Sequence, residues 1–279
     1  MTGEAAAVTS SAAALVAILC GWFALQLFVL GGLEQARSQQ VLHAELREQL
    51  AAQTAPTGGA IEPGRPVALL AVPTIGLQQV VVEGTASGDL LTGPGHRRDT
   101  VLPGQAGVSI IYGRTTTYGA PLRSIRSLQE GDGIQVTTGQ GEFVYRVDGV
   151  RREGDPVPQP PKRGGGRLTF VTAEGSGALL GSGPTRAVYV DATLTGDGVV
   201  GPAGRPASIP ESEKALAGDP SVLPVLALGL QGALLAGVGT ILARRRWPAR
   251  VVWVIAAPVL VALAWVVTGT AVQLLPNLV

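Results

Sequence analysis

Cysteine is almost missing from this chain of 279 residues, and the single one, Cys20, lies inside an apolar run. The segment that follows that run therefore holds neither a disulfide nor a thiol nucleophile. Histidine is nearly as scarce, with only His43 and His96, and aromatic residues make up 4% of the chain. No metal or cofactor motif is read, so no cofactor is expected. Net charge is +1, which gives no basis for nucleic-acid binding or bulk attraction to anionic surfaces. No long amphipathic helix is visible between residues 67 and 195.

Charge is locally absent as well. No charged residue occurs between Glu4 and Glu34, between Asp219 and Arg244, or from Val251 onward. A helix needs about 20 apolar residues to cross a bilayer. Three transmembrane helices are expected, at 10–32, 222–243 and 251–275. The first has no basic leader and exceeds the usual apolar core of a signal peptide, about 7–15 residues, so it reads as a retained anchor rather than a cleaved signal. Arg244, Arg245, Arg246 and Arg250 crowd the short loop 244–250, which the positive-inside rule places in the cytoplasm. The N-terminal residues 1–9 are then cytoplasmic, and the middle segment lies outside. Arg37, just past the first span, pulls the other way.

Residues 33–66 read as a helical stalk to Gln53, with His43 solvated, and a Pro/Gly linker from Thr54 to Pro66. Residues 196–221 read as a second linker. Between the two, short runs rich in Val, Ile, Leu and Thr alternate with Gly, Pro and Asp. VALLAV, LQQVVVEG, VSIIY, GIQVTT, EFVYRVDGV, RLTFVT and RAVYVDATL are strand candidates. IQVTT-GQG-EFVYRV predicts a hairpin. LRSIRSLQEG allows one or two helical turns, and PVPQPPKRGGG (156–166) is too rich in Pro and Gly to be helical. Residues 175–184 read as a flexible loop. Seven or eight short strands in this space predict a mostly β domain, a closed barrel or a sandwich.

The stretch LLTGPGHRRDTVLPGQAGVSIIYGRTTTYGAPLRSIRSLQEGDGI (90–134) resembles the sortases, the cell-surface cysteine transpeptidases of Gram-positive bacteria, and most closely the actinobacterial, class E-like ones. In that family a GPGH segment precedes T-x-x-P-G-x-x-G-N, a strand, and A-G-H-R-x-T-x-G-A-P-F. Gly93–His96, Thr100, Pro103, Gly104, Gly107, Gly113, Thr117, Gly119, Ala120 and Pro121 fit it. VPTIGLQQVVVEGT (72–85) is similar to the family's I-P-x-I-G-L-x-x-P-V-x-E-G-T, LTFVTAEG (168–175) to its L-T-L-V-T-C, and TRAVYVDATL to its last strand. The resemblance implies a sortase-type closed β-barrel over 67–195, outside the membrane. It also implies partners such as an LPxTG-like sorting-signal peptide, a cell-wall precursor or a membrane protein.

The same alignment removes the chemistry. Sortase action needs a thiolate nucleophile, a histidine that protonates the leaving amine, and a cationic oxyanion donor. Arg114 stands at the histidine position and cannot give up a proton near neutral pH. Ala173 stands at the cysteine position. Arg186 alone keeps its family residue. Loss of one member of a catalytic unit generally costs about as much as loss of all.

Strand alternation puts Thr169, Val171 and Ala173 on one face and Thr172 and Glu174 on the other. Thr172 has no base beside it. Glu174 is read as an ion-pair partner of Arg114, or as an acid in a rebuilt site. His96 is read as a hydrogen-bonded loop histidine outside the site. Arg114, Arg186, Glu174 and Thr172 are the ligand-binding candidates. Two guanidinium groups in one groove would suit a carboxylate or phosphate. The first expectation is a pseudo-sortase that binds at the cell envelope without transpeptidation. The alternatives are an active transpeptidase or hydrolase with a rearranged site, and a membrane-assembly subunit.

Overall fold

The computed structural model describes residue 13, residues 16–174 and residues 186–279. The expected cytoplasmic residues 1–9, the start of the first span and the 175–184 loop lie outside the described residues. The chain divides into two compact units, one formed by Met1–Leu30 with Pro220–Leu274, the other by Gly31–Asp219 with Leu275–Val279.

The second unit is built on eight strands: β1 (Pro66–Val72), β2 (Leu77–Glu83), β3 (Gly95–His96), β4 (Gly107–Tyr112), β5 (Gly133–Thr138), β6 (Gly141–Arg152), β7 (Gly166–Glu174) and β8 (Arg186–Leu194). They close into a barrel in the order β1-β2-β3-β4-β7-β8-β6-β5. Closure decides between the barrel and the sandwich that the strand pattern alone left open. It also removes the unpaired edges that a sandwich keeps. The expected hairpin is present, with Thr138 paired to Gly141 across a two-residue turn. The parallel pair β4–β7 sets Tyr112 beside Val171, and the β7–β8 ladder sets Ala173 opposite Ala187 and ends on Glu174 opposite Arg186. These pairings bring the ends of β4 and β7 together. Among the described residues, the only strand that the sequence pattern missed, β3, is two residues long, too short for any period.

Leu70, Val72, Ile111, Ile134, Val136, Tyr145, Leu168, Phe170 and Val190 fill the barrel interior. Along β7 the even positions Leu168 and Phe170 point inward, while Val171 and Ala173 join a separate cluster on the other face. That is the alternation the sequence predicts.

The helix α1 (Gly31–Ala51) is not a free stalk. Leu42 and Leu46 pack on Val80 and Val82 of β2. Gln39 accepts the Val80 N–H at 2.7 Å and donates to Val80 O at 3.1 Å and to Thr92 O at 2.9 Å. A side-chain amide thus satisfies main-chain groups of β2 that no neighbouring strand reaches. His43, expected to be solvated, is half-buried.

Residues 196–219 are likewise not a loose linker. Arg205 donates to Glu83 at 2.6 Å and to Thr100 O at 2.9 Å, and Arg98 pairs with Glu213. His96 is fully buried in β3 rather than lying in a loop. Its Nε2 donates to Val101 O at 2.8 Å, while its Nδ1 faces Glu83 at 3.0 Å. Residues 156–161 form no helix, and one short 3-10 turn, Ile125–Ser127, stands where helical turns were expected.

Three helices are long and apolar enough to cross a membrane: Val16–Ala51, Pro220–Ala243 and Ala249–Val272. Within the first unit, α2 (Leu223–Ala243) and α3 (Ala249–Val272) pack closely; a Cβ on Gly229 would meet Val267 at 3.0 Å. Small residues here let helix backbones approach. The arginines of 244–250 are exposed. The apolar run expected to continue as helix to 275 ends as helix at Val272, because Pro276 lacks the N–H that continuation needs.

Candidate functional site

The site forms where β4 and β7 end side by side. Gly113 continues β4 by donating its N–H to Val171 O at 3.1 Å. A side chain there would collide with Leu122, so glycine lets the following loop fold tightly back. That loop runs through Tyr118, Gly119 and Ala120, all with left-handed φ of 48°, 73° and 46°. Two non-glycine residues in this region are uncommon and are held only by surrounding contacts. The turn carries Arg114, Thr115 and Thr117 at its start.

Arg114 is 1% exposed. Its Nη2 donates to Ser87 Oγ at 2.7 Å and Ser87 O at 3.2 Å, and its Nη1 to Thr117 Oγ1 at 3.1 Å and to the main-chain oxygen of Val279 at 2.9 Å. Its guanidinium sits 5.7 Å from the Tyr118 ring centroid. Burial lowers its pKa to about 10, which leaves it cationic at neutral pH. No carboxylate side chain pairs with it among the described residues, and its Nε, buried, has no hydrogen-bond partner. A buried cation is costly unless its hydrogen bonds are well made.

Ala173 is 4% exposed and clusters with Leu90, Tyr112, Val171, Ala187 and Leu278. Its N–H donates to Thr115 Oγ1 at 3.1 Å. Thr115 Oγ1 lies 2.6 Å from Thr172 Oγ1, whose own hydroxyl donates to Gly113 O at 2.9 Å. Thr172 is therefore buried, spends its proton on a carbonyl, and has no histidine or carboxylate in hydrogen-bond contact to activate it.

Glu174 does not pair with Arg114. It holds Arg126 at 3.0 Å and Arg152 at 2.8 Å on the barrel rim. The hydrogen bond from Arg152 holds its carboxyl below the usual range. Arg186 opens β8 and is exposed, in register with Glu174. Arg114 is buried, while Arg186 is exposed at the rim. Thr172 and Ala173 come together with Arg114 through Thr115; Glu174 and Arg186 stand at the rim.

Sequence reasoning missed one participant altogether. Residues Leu275–Val279 belong to the barrel unit and lie in this site. Leu278 and Asn277 are fully buried there. The available signal was Pro276 followed by Asn277, a break at the end of an apolar run.

The family model for the sortase domain matches residues 70–190. Those residues are a sortase domain. Sortase D of Bacillus subtilis is 31% identical over 86 residues, which cover 31% of this chain and 42% of that protein. Sortase SrtE1 of Streptomyces coelicolor is 32% identical over 130 residues, 41% of this chain and 37% of that protein. The matches thus span less than half the length of either relative. Among solved structures, the Sortase D5 transpeptidase of Clostridium perfringens gives a TM-score of 0.47 at 26% identity, covering 57% of this chain and 99% of that one. Sortase E from Streptomyces avermitilis gives 0.40 at 26% identity, covering 55% and 100%. The sortase domain here closes its barrel with eight strands and ends β7 on an alanine and a glutamate.

Proposed function

We propose that this protein is a membrane-anchored pseudo-sortase that binds a peptide at the cell envelope of a Gram-positive, actinobacterial cell without transpeptidation. The observation that carries this reading is the state of Arg114. It stands at the position where the sequence resemblance expects a histidine, buried and cationic, with one of its bonds to the main-chain oxygen of a peptide segment. Such a group binds and orients main chain; it cannot protonate a leaving amine. Ala173 offers no nucleophile, and Thr172 is tied to Gly113. A groove of this kind keeps recognition and loses the bond-breaking step. The ligand class is a sorting-signal-like peptide, or a cell-wall precursor or membrane partner that presents one. The arginines at 244–250 favour an orientation with the barrel outside and residues 275–279 on the same side.

The test is a restoration assay on the full chain in detergent micelles. Unaltered protein and an Arg114→His, Ala173→Cys double variant are each given LPxTG-type peptides and a glycine acceptor. Mass spectrometry then follows acyl-enzyme and product. Acylation by the restored chain alone supports the reading. Turnover by the unaltered chain sinks it.

A further inference from the structure

Leu275–Val279, with sequence LPNLV, lies in the site as a short turn, Val279 N–H donating to Pro276 O at 3.2 Å. Its contacts are chiefly main-chain ones. Ser87 Oγ donates to Leu275 O at 3.4 Å, and Asn277 N–H donates to Ala217 O at 2.9 Å. Thr115 N–H donates to Leu278 O at 3.1 Å. Thr117 Oγ1 at 2.6 Å and Arg114 Nη1 at 2.9 Å both donate to Val279 O. Two side chains add selectivity. Asn277 Nδ2 donates to Thr85 O at 2.8 Å and Lys214 O at 2.9 Å. Leu278 fills an apolar pocket formed by Leu90, Tyr112, Val171, Ala173 and Ala187. The methyl of Ala173 is thus part of the wall against which a leucine is seated.

The fit is incomplete in a telling way. Asn277 Oδ1 and Arg114 Nε are both buried without a hydrogen-bond partner. Each such group is a cost that a better-matched occupant would relieve. A segment held by main-chain bonds, one side-chain amide and one apolar anchor, with polar groups left unpaired around it, is an occupant that can be exchanged.

We propose that Leu275–Val279 is an intramolecular peptide ligand that closes the groove, in competition with a peptide supplied in trans. The external ligand is a short apolar peptide that seats a leucine against Ala173 and its main-chain oxygens on Thr115 N, Arg114 and Thr117. The inference rests on the peptide-binding reading above and adds the chemical class of ligand and the gate. A tethered ligand acts at an effective concentration of roughly millimolar, so a strap with an intrinsic Kd of about 0.1 mM or tighter makes the intact chain bind added peptide at least about tenfold more weakly than a chain whose strap is released.

The experiment uses the full chain in detergent micelles and fluorescein-labelled Leu-Pro-Asn-Leu-Val as the probe. Leu278→Asp places a charge in the apolar pocket and releases the strap; Leu278→Ala is the milder variant should the first fail to fold. Exchange of the Thr115 amide, whose acceptor is Leu278 O, reports release independently of binding. The expected result is faster Thr115 exchange and at least tenfold tighter probe binding in the Leu278 variants, with binding lost again when Arg114→Gln is added. Equal probe affinity in intact and released chains overturns the gate. A released strap with no probe binding overturns the ligand class. Unchanged protection of Thr115 in both variants shows that Leu278 does not hold the strap, which also overturns the proposal. An LPxTG-type peptide run in parallel separates the two readings. If the probe binds the released groove and the LPxTG peptide does not, the strap stands and the sorting-signal ligand falls. A cleaved LPxTG peptide removes the pseudo-sortase reading alone.

Discussion

Arg114 donates from Nη1 to the main-chain oxygen of Val279, 165 positions further along the chain, at 2.9 Å. A cation placed where the sortase resemblance expects a histidine is thus held by Ser87, Thr117 and Val279 rather than by an acidic side chain. Truncation at this position removes the donor to Ser87 O and Thr117 Oγ1, leaves Val279 O with Thr117 Oγ1 alone, and opens a cavity. Arg114→Ala is expected to lower the stability of the barrel by about 3 kcal/mol or more. Arg114→Lys recovers only part of that, because a point ammonium cannot reach both Ser87 and Val279 as the guanidinium fork does. Thermal unfolding of the full chain in micelles measures both; equal stability of all three proteins contradicts the geometry.

Asp89 supplies a pH dependence. Burial pushes its carboxyl up to about 6, against the bond from the Ala86 N–H, which favours the charged form. Between that value and the ordinary aspartate value of 3.8, near which the unfolded chain titrates, the folded chain holds a proton that the unfolded chain has already released. Stability from this group is fully present below the unfolded value and declines as pH rises through about 6. Asp89→Asn is expected to flatten the melting temperature between pH 4 and 6, the window set by those two values. A slope unchanged in the variant assigns the effect elsewhere.

Gln39 joins α1 to the edge of β2 through three hydrogen bonds to Val80 and Thr92. Gln39→Ala leaves the Val80 N–H and two carbonyls seeking partners, at a cost of about 1–3 kcal/mol. Hydrogen exchange localises it: the Val80 amide loses protection, while amides of β6 and β8 on the far part of the ladder keep theirs.

Arg205 pins residues 196–219 to the barrel through Glu83, which is fully buried beside His96. Removing one partner of a buried ion pair strands the other, so Arg205→Ala is expected to cost about 3–5 kcal/mol. Adding Glu83→Gln removes the stranded charge and recovers part of the loss. A double-mutant cycle on unfolding measures the coupling, and additivity within error argues against it.

What the sequence by itself determined is local. Alternation of apolar and polar residues gives seven of the eight strands, because side chains on a strand alternate between two faces and one face must be buried. Runs free of charge mark three helices long enough for a bilayer. The identities of Arg114 and Ala173 already rule out a thiolate and a histidine, since these are matters of functional groups rather than of shape.

Tertiary structure decided which of those groups meet. Glu174 reads equally well as a partner of Arg114, yet the twist of the barrel end delivers it to Arg126 and Arg152. Helix α1 reads as a polar stalk because a composition window averages over the few positions, Leu42, Leu46 and Gln39, that face the sheet. Leu275–Val279 reads as the end of an apolar run, and nothing local distinguishes a leucine bound for lipid from one bound for a pocket. Its partners, Ser87, Arg114, Thr115 and Ala173, lie more than a hundred positions away. Only closure of the barrel assembles the main-chain donors and the apolar walls that accept it.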